Sequence, residues 1–151
     1  MKNFNFIFGI ILLNFLCNCS ASASISDNTS SEILNVKHHT YKTVGFPTSD
    51  GLNVYADFYS SDNRRDPLII LYHQAGFSKG EFRNIAPRLV DLGFNVLAVD
   101  LRSGDIVNQV TNLTQKEALK KGKSTAFQDV IPDLEASFDY AKNKIKSRKI
   151  I

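Results

Sequence analysis

At 151 residues, with 43% hydrophobic and 22% charged side chains, the chain is about one domain long and carries enough apolar material for a packed core, which excludes a disordered protein. Lys and Arg number 18 against 15 Asp and Glu, and the net charge of +3 is too small an excess to favour nucleic acid as a partner.

The first segment is a leader. In MKNFNFIFGIILLNFLCNCSASAS, Lys2 precedes an apolar run from Phe4 to Leu16 and then small residues, the layout of a secretory signal over residues 1–23. Asn5 and Asn14 interrupt a run that is already short for a bilayer span, and an uncleaved anchor helix is the alternative reading. Two processing routes fit. Cleavage can follow Ala21-Ser22-Ala23, or Cys19 can be lipidated if Leu16-Cys17-Asn18-Cys19 is read as a lipobox, with Asn18 in place of the usual small residue. The expectation is an exported protein of the periplasm or cell envelope, with Cys19 as the candidate for lipid anchoring to a membrane. Both cysteines, Cys17 and Cys19, fall in this segment, so no disulfide framework is expected after it.

Residues 24–40 open with SISDNTSSEILN, a Ser- and Asn-rich stretch that buries too little apolar area to order itself and reads as a flexible tether. The domain is expected over 41–151. Leu52, Val54, Ala56 and Phe58 alternate with polar or aromatic neighbours after Asp50-Gly51, a pair that between two strand-like runs signals a hairpin. Pro67 ends a polar turn, and the unbroken apolar run Leu68 to Tyr72 reads as a strand covered on both faces inside a parallel sheet. Phe82, Ile85, Ala86, Leu89 and Val90 then share one helical face that stops near Gly93, and FNVLAVD follows as another strand.

After a polar stretch, Ile131, Leu134, Phe138, Ala141 and Ile145 predict a second helix over roughly 125–146, with Thr125 and Gln128 as a capping box and Pro132 marking an alternative start. The cations Lys142, Lys144, Lys146, Arg148 and Lys149 suit a solvated helix C-terminus. Lys149-Ile150-Ile151 reads as the opening of a further strand. The order predicts an α/β layered domain.

One motif carries chemistry on its face. Gly76-Phe77-Ser78-Lys79-Gly80 fits G-x-S-x-G, the serine nucleophile elbow. Such hydrolases carry nucleophile, acid and histidine in that chain order, yet His38, His39 and His73 all precede Ser78. Ser78-Lys79-Gly80-Glu81 is equally S-x-x-E before an amphipathic run, so Ser78 is expected to cap the helix with Glu81 reaching back to its N–H. No two histidines and carboxylates are spaced as metal ligands, since adjacent His38 and His39 point different ways in an extended chain.

The stretch LIILYHQAGFSKGEFRNIAPRLVDLGFNVLAVDLRSGD resembles the early half of an α/β-hydrolase of the dienelactone hydrolase and acyl-peptidase type, and the likeness extends over about residues 41–151. Its most specific parts are HQAG and AVDLRSGD. The resemblance implies an oxyanion loop at His73, Gln74, Ala75 and Gly76, in which the backbone N–H of Ala75 or of Gln74 faces the reacting oxygen. Gln74 departs from the family's glycine. Asp100 and Arg102 match an Asp-x-Arg segment that braces the loop.

The resemblance further implies ester or acyl substrates for the complete form, no cofactor, and a nucleophile, acid and base lying beyond Ile151. The expectation is therefore a partial fold with a mostly parallel sheet, truncated before its elbow and catalytically incompetent alone. The strand begun at Ile150 is expected beside Leu68 to Tyr72, leaving an exposed edge prone to self-association. A non-catalytic envelope lipoprotein that binds a partner or small ligand is the alternative.

Overall fold

A computed structural model describes residues 39–151. The leader, Cys19 and nearly all of the tether lie outside the described residues. The chain enters through β1 (Tyr41–Pro47) and β2 (Asn53–Tyr59), an antiparallel pair in register from Tyr41 opposite Tyr59 to Pro47 opposite Asn53. Between them Gly51 takes φ +84°, and Gly51 N donates to Thr48 O at 3.2 Å. That left-handed conformation is why glycine follows Asp50 here.

Next come β3 (Leu68–Tyr72), a 3-10 turn (Lys79–Phe82), α1 (Ala86–Asp91) and β4 (Asn95–Val99). The expected single helix over 82–92 is thus a 3-10 turn followed by a short α-helix, with Pro87 in the first turn, where its missing N–H costs least. The sheet order is β1-β2-β4-β3. It is mixed where a mostly parallel sheet was expected: β4 runs antiparallel to β2 and parallel to β3. All five residues of β4 are buried, whereas in β3 only Leu68 is. The strand covered on both faces is therefore β4, which lies between β2 and β3 and sends side chains into both apolar layers.

The side chains of β4 divide the core. Leu97 and Val99 join Phe46, Val54, Ala56, Leu68 and Leu101 on one face, and Val96 and Ala98 join Tyr59, Phe82, Ala86 and Val90 on the other. Alternation across the strand builds two apolar layers from one segment. The first layer lies against α3 (Ile131–Tyr140) and the second against α1.

The polar stretch after β4 is more structured than its composition suggests. It forms a tiny hairpin, β5 (Ile106–Val107) with β6 (Val110–Thr111), and an eight-residue helix, α2 (Leu113–Lys120). The helix expected from 125 starts at Ile131, with Pro132 in its first turn as the alternative start required, and passes into π-helical turns over Ala141–Ile145. Residues 127–129 form a separate 3-10 turn whose N-cap is Ala126, with no side-chain cap, so the Thr125–Gln128 capping box is not made. Leu68 N donates to Lys149 O at 2.8 Å and Ile151 N donates to Leu68 O at 2.8 Å, a parallel bridge of Ile150 with Leu68 beside the outer edge of β3. Among the described residues no helix is long and apolar enough to cross a membrane.

Candidate functional site

Because β3 and β4 are parallel, with Tyr72 opposite Val99, the chain leaves both strands at the same end, and His73 and Asp100 begin adjacent loops. The carboxyl ends of parallel strands are where open α/β sheets build their sites. The first loop turns sharply: Phe77 N donates to Gln74 O at 3.1 Å, and Gly76 has φ +84° at the third position of the turn. That positive φ is the type II signature, and it favours glycine at 76.

His73 anchors this turn from below. Only 5% exposed, it accepts at Nε2 from the backbone N–H of Leu101 at 2.9 Å, so the remaining ring proton sits on Nδ1 and is donated to Gln74 O at 2.8 Å. Both nitrogens serve the scaffold. Asn112, the N-cap of α2, stitches the same loops together. Its Oδ1 accepts from Gln115 N at 2.8 Å while Nδ2 donates to Leu101 O at 2.8 Å and to Phe77 O at 3.2 Å. Gly104 must be glycine for this packing, because a Cβ there would lie 2.0 Å from both Asn112 Nδ2 and Phe77 O.

Two buried ion-pair systems hold the second loop. Asp100, fully buried, accepts from Lys79 Nζ at 2.6 Å and Leu113 N at 2.9 Å on Oδ2, and from Lys79 N at 2.8 Å on Oδ1. Its charge is thereby balanced and its lone pairs are occupied, the condition under which a buried pair is tolerated. Arg102 lies between two carboxylates. Its Nε and Nη2 donate to Asp133 Oδ1 at 3.0 and 2.7 Å, and its Nη1 and Nη2 donate to Asp50 at 2.7 and 3.1 Å. Hydrogen bonding from the Arg102 guanidinium, against the opposing effect of burial, holds the Asp50 carboxyl well below the usual carboxylate range. The hairpin turn, the loop after β4 and α3 are thus tied through one guanidinium.

Ser78 is fully buried. Its hydroxyl donates to Val110 O at 2.8 Å and accepts from Gly80 N at 3.1 Å, capping the 3-10 turn. Neither His73 nitrogen is engaged with it. Glu81 does not reach back to Ser78; its Oε2 accepts from Gln74 N at 3.3 Å. A 3-10 turn brings the second amide rather than the third to the cap, which leaves the glutamate free to engage the neighbouring loop. Around the turn the amides are then accounted for: Gln74 N meets Glu81, Gly76 N donates to Ser103 O at 2.9 Å, and Phe77 N meets Gln74 O. Among the described residues none accepts from Ala75 N–H, and Ala75 is exposed.

The structure therefore brings His73, Gln74, Ala75, Gly76, Ser78, Glu81, Asp100 and Arg102 to one end of the sheet. It adds Lys79, Asn112, Asp50 and Asp133, which the sequence reading did not single out. Asn112 carried a readable signal, since Asn three residues before Gln115 opens a helix. The partners of Arg102 had none, because Asp50 and Asp133 meet it only through the fold. Among the described residues no group of three or more His, Cys, Asp or Glu is placed to hold a metal ion.

No protein-family model matches the sequence, and no curated protein does. The fold, in contrast, matches solved structures of the Pyrococcus furiosus esterase Pf2001. One crystal form superposes with a TM-score of 0.53 at 20% identity, covering 74% of this chain and 38% of the esterase. Two further forms give TM-scores of 0.48 at 20% and 24% identity over 74% of this chain. The architecture is thus α/β and matches part of an esterase fold; the chain spans less than half the length of these esterase chains.

Proposed function

We propose that this chain is the N-terminal portion of an exported serine-type α/β-hydrolase, and that the turn His73–Gly76 is its oxyanion loop. The observation that carries this reading is the free, exposed N–H of Ala75 in a turn whose neighbouring amides are all engaged. Acyl transfer builds negative charge on a carbonyl oxygen, and a backbone dipole fixed before the reaction stabilises that charge without reorganising. Gln74 N, already donating to a carboxylate, is the poorer candidate.

His73 shapes the loop and Asp100 and Arg102 brace it, with none of the three touching the reacting atoms. In this reading the nucleophile stands at the end of a strand that the bridge at Ile150 begins, and the acid and base come later still in the sequence. The exposed side chains of Ile131 and Phe138 fit the same account, as a surface that further elements of the sheet and its helices cover. The leader over residues 1–23 directs export in this reading, by cleavage after Ala23 or by lipid attachment at Cys19. Substrates are esters or related acyl compounds.

Two measurements test this. Sequencing the coding region past Ile151 is expected to reveal G-x-S-x-G within about ten codons in some frame; its absence overturns the proposal. The chain itself, assayed with an activated ester, is expected to show no turnover that depends on Ser78, so that Ser78→Ala matches the parent. Turnover abolished by that substitution reinstates Ser78 as nucleophile.

A further inference from the structure

A cleft of about 420 Å³ lies between α2 and β2, lined by Tyr55, Leu113, Lys116, Glu117, Lys120 and Lys121. Its charge is not what its composition suggests. Glu117 is the one carboxylate of the lining, and both of its oxygens are taken: Oε1 accepts from Lys121 Nζ at 2.7 Å and Asn53 N at 3.1 Å, and Oε2 from the Tyr55 hydroxyl at 2.8 Å. Burial opposes its ionisation, yet the bonds from Lys121, Tyr55 and Asn53 outweigh that and hold the carboxyl below its ordinary value. The Glu117–Lys121 pair is therefore neutral as a unit.

Lys116 and Lys120 remain. They stand one helical turn apart on the same face of α2, both are exposed, and among the described residues neither takes part in an ion pair or a hydrogen bond through its ammonium. The rest of the mainly apolar lining comes from Tyr55 and Leu113, to which the methylene stems of the lysines can add while their ammonium groups stay in water. Tyr55 OH is spent on Glu117, so the ring presents carbon to the cleft.

We propose that this cleft binds a single-chain amphiphile with an anionic head, the chain lying against Tyr55 and Leu113 and the head between Lys116 and Lys120. A neutral chain lacks the charge that the rim selects, and a cationic head is repelled by it. The inference does not rest on the hydrolase reading: Leu113 and Tyr55 meet the loop cluster through their backbones, Leu113 N donating to Asp100 and Tyr55 O accepting from Asp100 N, whereas the cleft uses their side chains.

The test is a titration of the ¹⁵N-labelled full chain with decanoate below its micelle concentration, beside decyltrimethylammonium and vesicles of phosphatidylglycerol. Saturable decanoate shifts at Tyr55, Leu113, Lys116 and Lys120, with none from the ammonium amphiphile, support the site. Charge reversal by Lys116→Glu with Lys120→Glu is expected to weaken decanoate at least about tenfold, and Lys116→Arg with Lys120→Arg to restore it. Equal binding of both amphiphiles, or decanoate binding unmoved by charge reversal, overturns the proposal. Vesicle binding without saturable decanoate shifts in the cleft overturns it as well, since a membrane surface then accounts for the basic face.

Discussion

The loop cluster at the carboxyl ends of β3 and β4 and the outer flank made by β3 and α3 are built by opposite rules. In the cluster, buried charges and polar groups are matched almost atom for atom: Asp100 with Lys79, Asp133 and Asp50 with Arg102, His73 with Leu101 and Gln74. On the flank, apolar surface faces solvent, with Ile131 55% and Phe138 50% exposed and Tyr72, at the end of β3, exposed beside them. The first region is closed within this chain, and the second is not. The matched region is the one that surrounds the unengaged backbone N–H of Ala75.

The sharpest way to break that contrast is to unpair the guanidinium. Asp133→Ala leaves Arg102, only 3% exposed, with Asp50 as its remaining carboxylate, and removing one partner of a buried pair costs about 3 to 5 kcal/mol. Urea unfolding of the full chain measures it. A loss below about 1 kcal/mol would show that water enters the site and that the cluster is no more closed than the flank. The pH arm has a definite sign. Asp50 is depressed in the fold, so its contribution is complete above the ordinary carboxylate pKa near about 4 and is lost as pH falls toward the depressed value. Stability is expected to drop through that acid window, and Asp50→Asn to flatten the part of the drop due to this group.

A smaller effect sharpens the role of Ser78. Ser78→Ala removes the acceptor for Gly80 N and the donor to Val110 O, and the loss of one cap and one buried bond is expected to cost about 1 to 2 kcal/mol. Ser78→Thr keeps the hydroxyl but places a methyl where the residue has no exposed surface, so it is expected not to restore full stability. Equal urea midpoints for Ser78→Ala and the parent would remove the cap from the cluster's account.

How much of this was readable in the sequence follows from the range of the forces involved. The hairpin at Asp50-Gly51, the strands after Pro67 and Gly93, and the start of α3 at Ile131, next to Pro132, rest on neighbouring residues, and periodicity or turn chemistry reports those directly. Helix α2 escaped because polar side chains bury its inner face: Thr114 is fully buried and accepts from Tyr55 N at 2.9 Å, so an apolar stripe never forms. The centrality of β4 over β3 escaped for a related reason. Apart from Asn95 at the head of β4, both strands are built of apolar and aromatic residues, and the strand order β1-β2-β4-β3 decides which is enclosed. Within the site, His73, Asp100 and Arg102 were visible as part of a family-like segment, whereas Lys79, Asp50 and Asp133 acquire their roles from contacts spanning 21, 52 and 31 residues.

The smallest expected effect lies on the flank and completes the contrast. Ile131→Glu and Phe138→Glu replace side chains that contribute little to the described core, so each is expected to change urea stability by no more than about 0.5 kcal/mol, the range of exposed substitutions. Their consequence is intermolecular. Exposed apolar patches beside a strand edge recruit other chains, and β3 offers such an edge wherever Lys149 to Ile151 do not cover it. Sedimentation velocity over a range of concentrations is expected to show the parent self-associating and the double Glu variant shifted toward monomer. If instead either charge costs about 2 kcal/mol or more, those side chains are packed in solution and the flank is as closed as the cluster. The difference between the two regions then vanishes, and with it the surface that the proposed remainder of the hydrolase would cover.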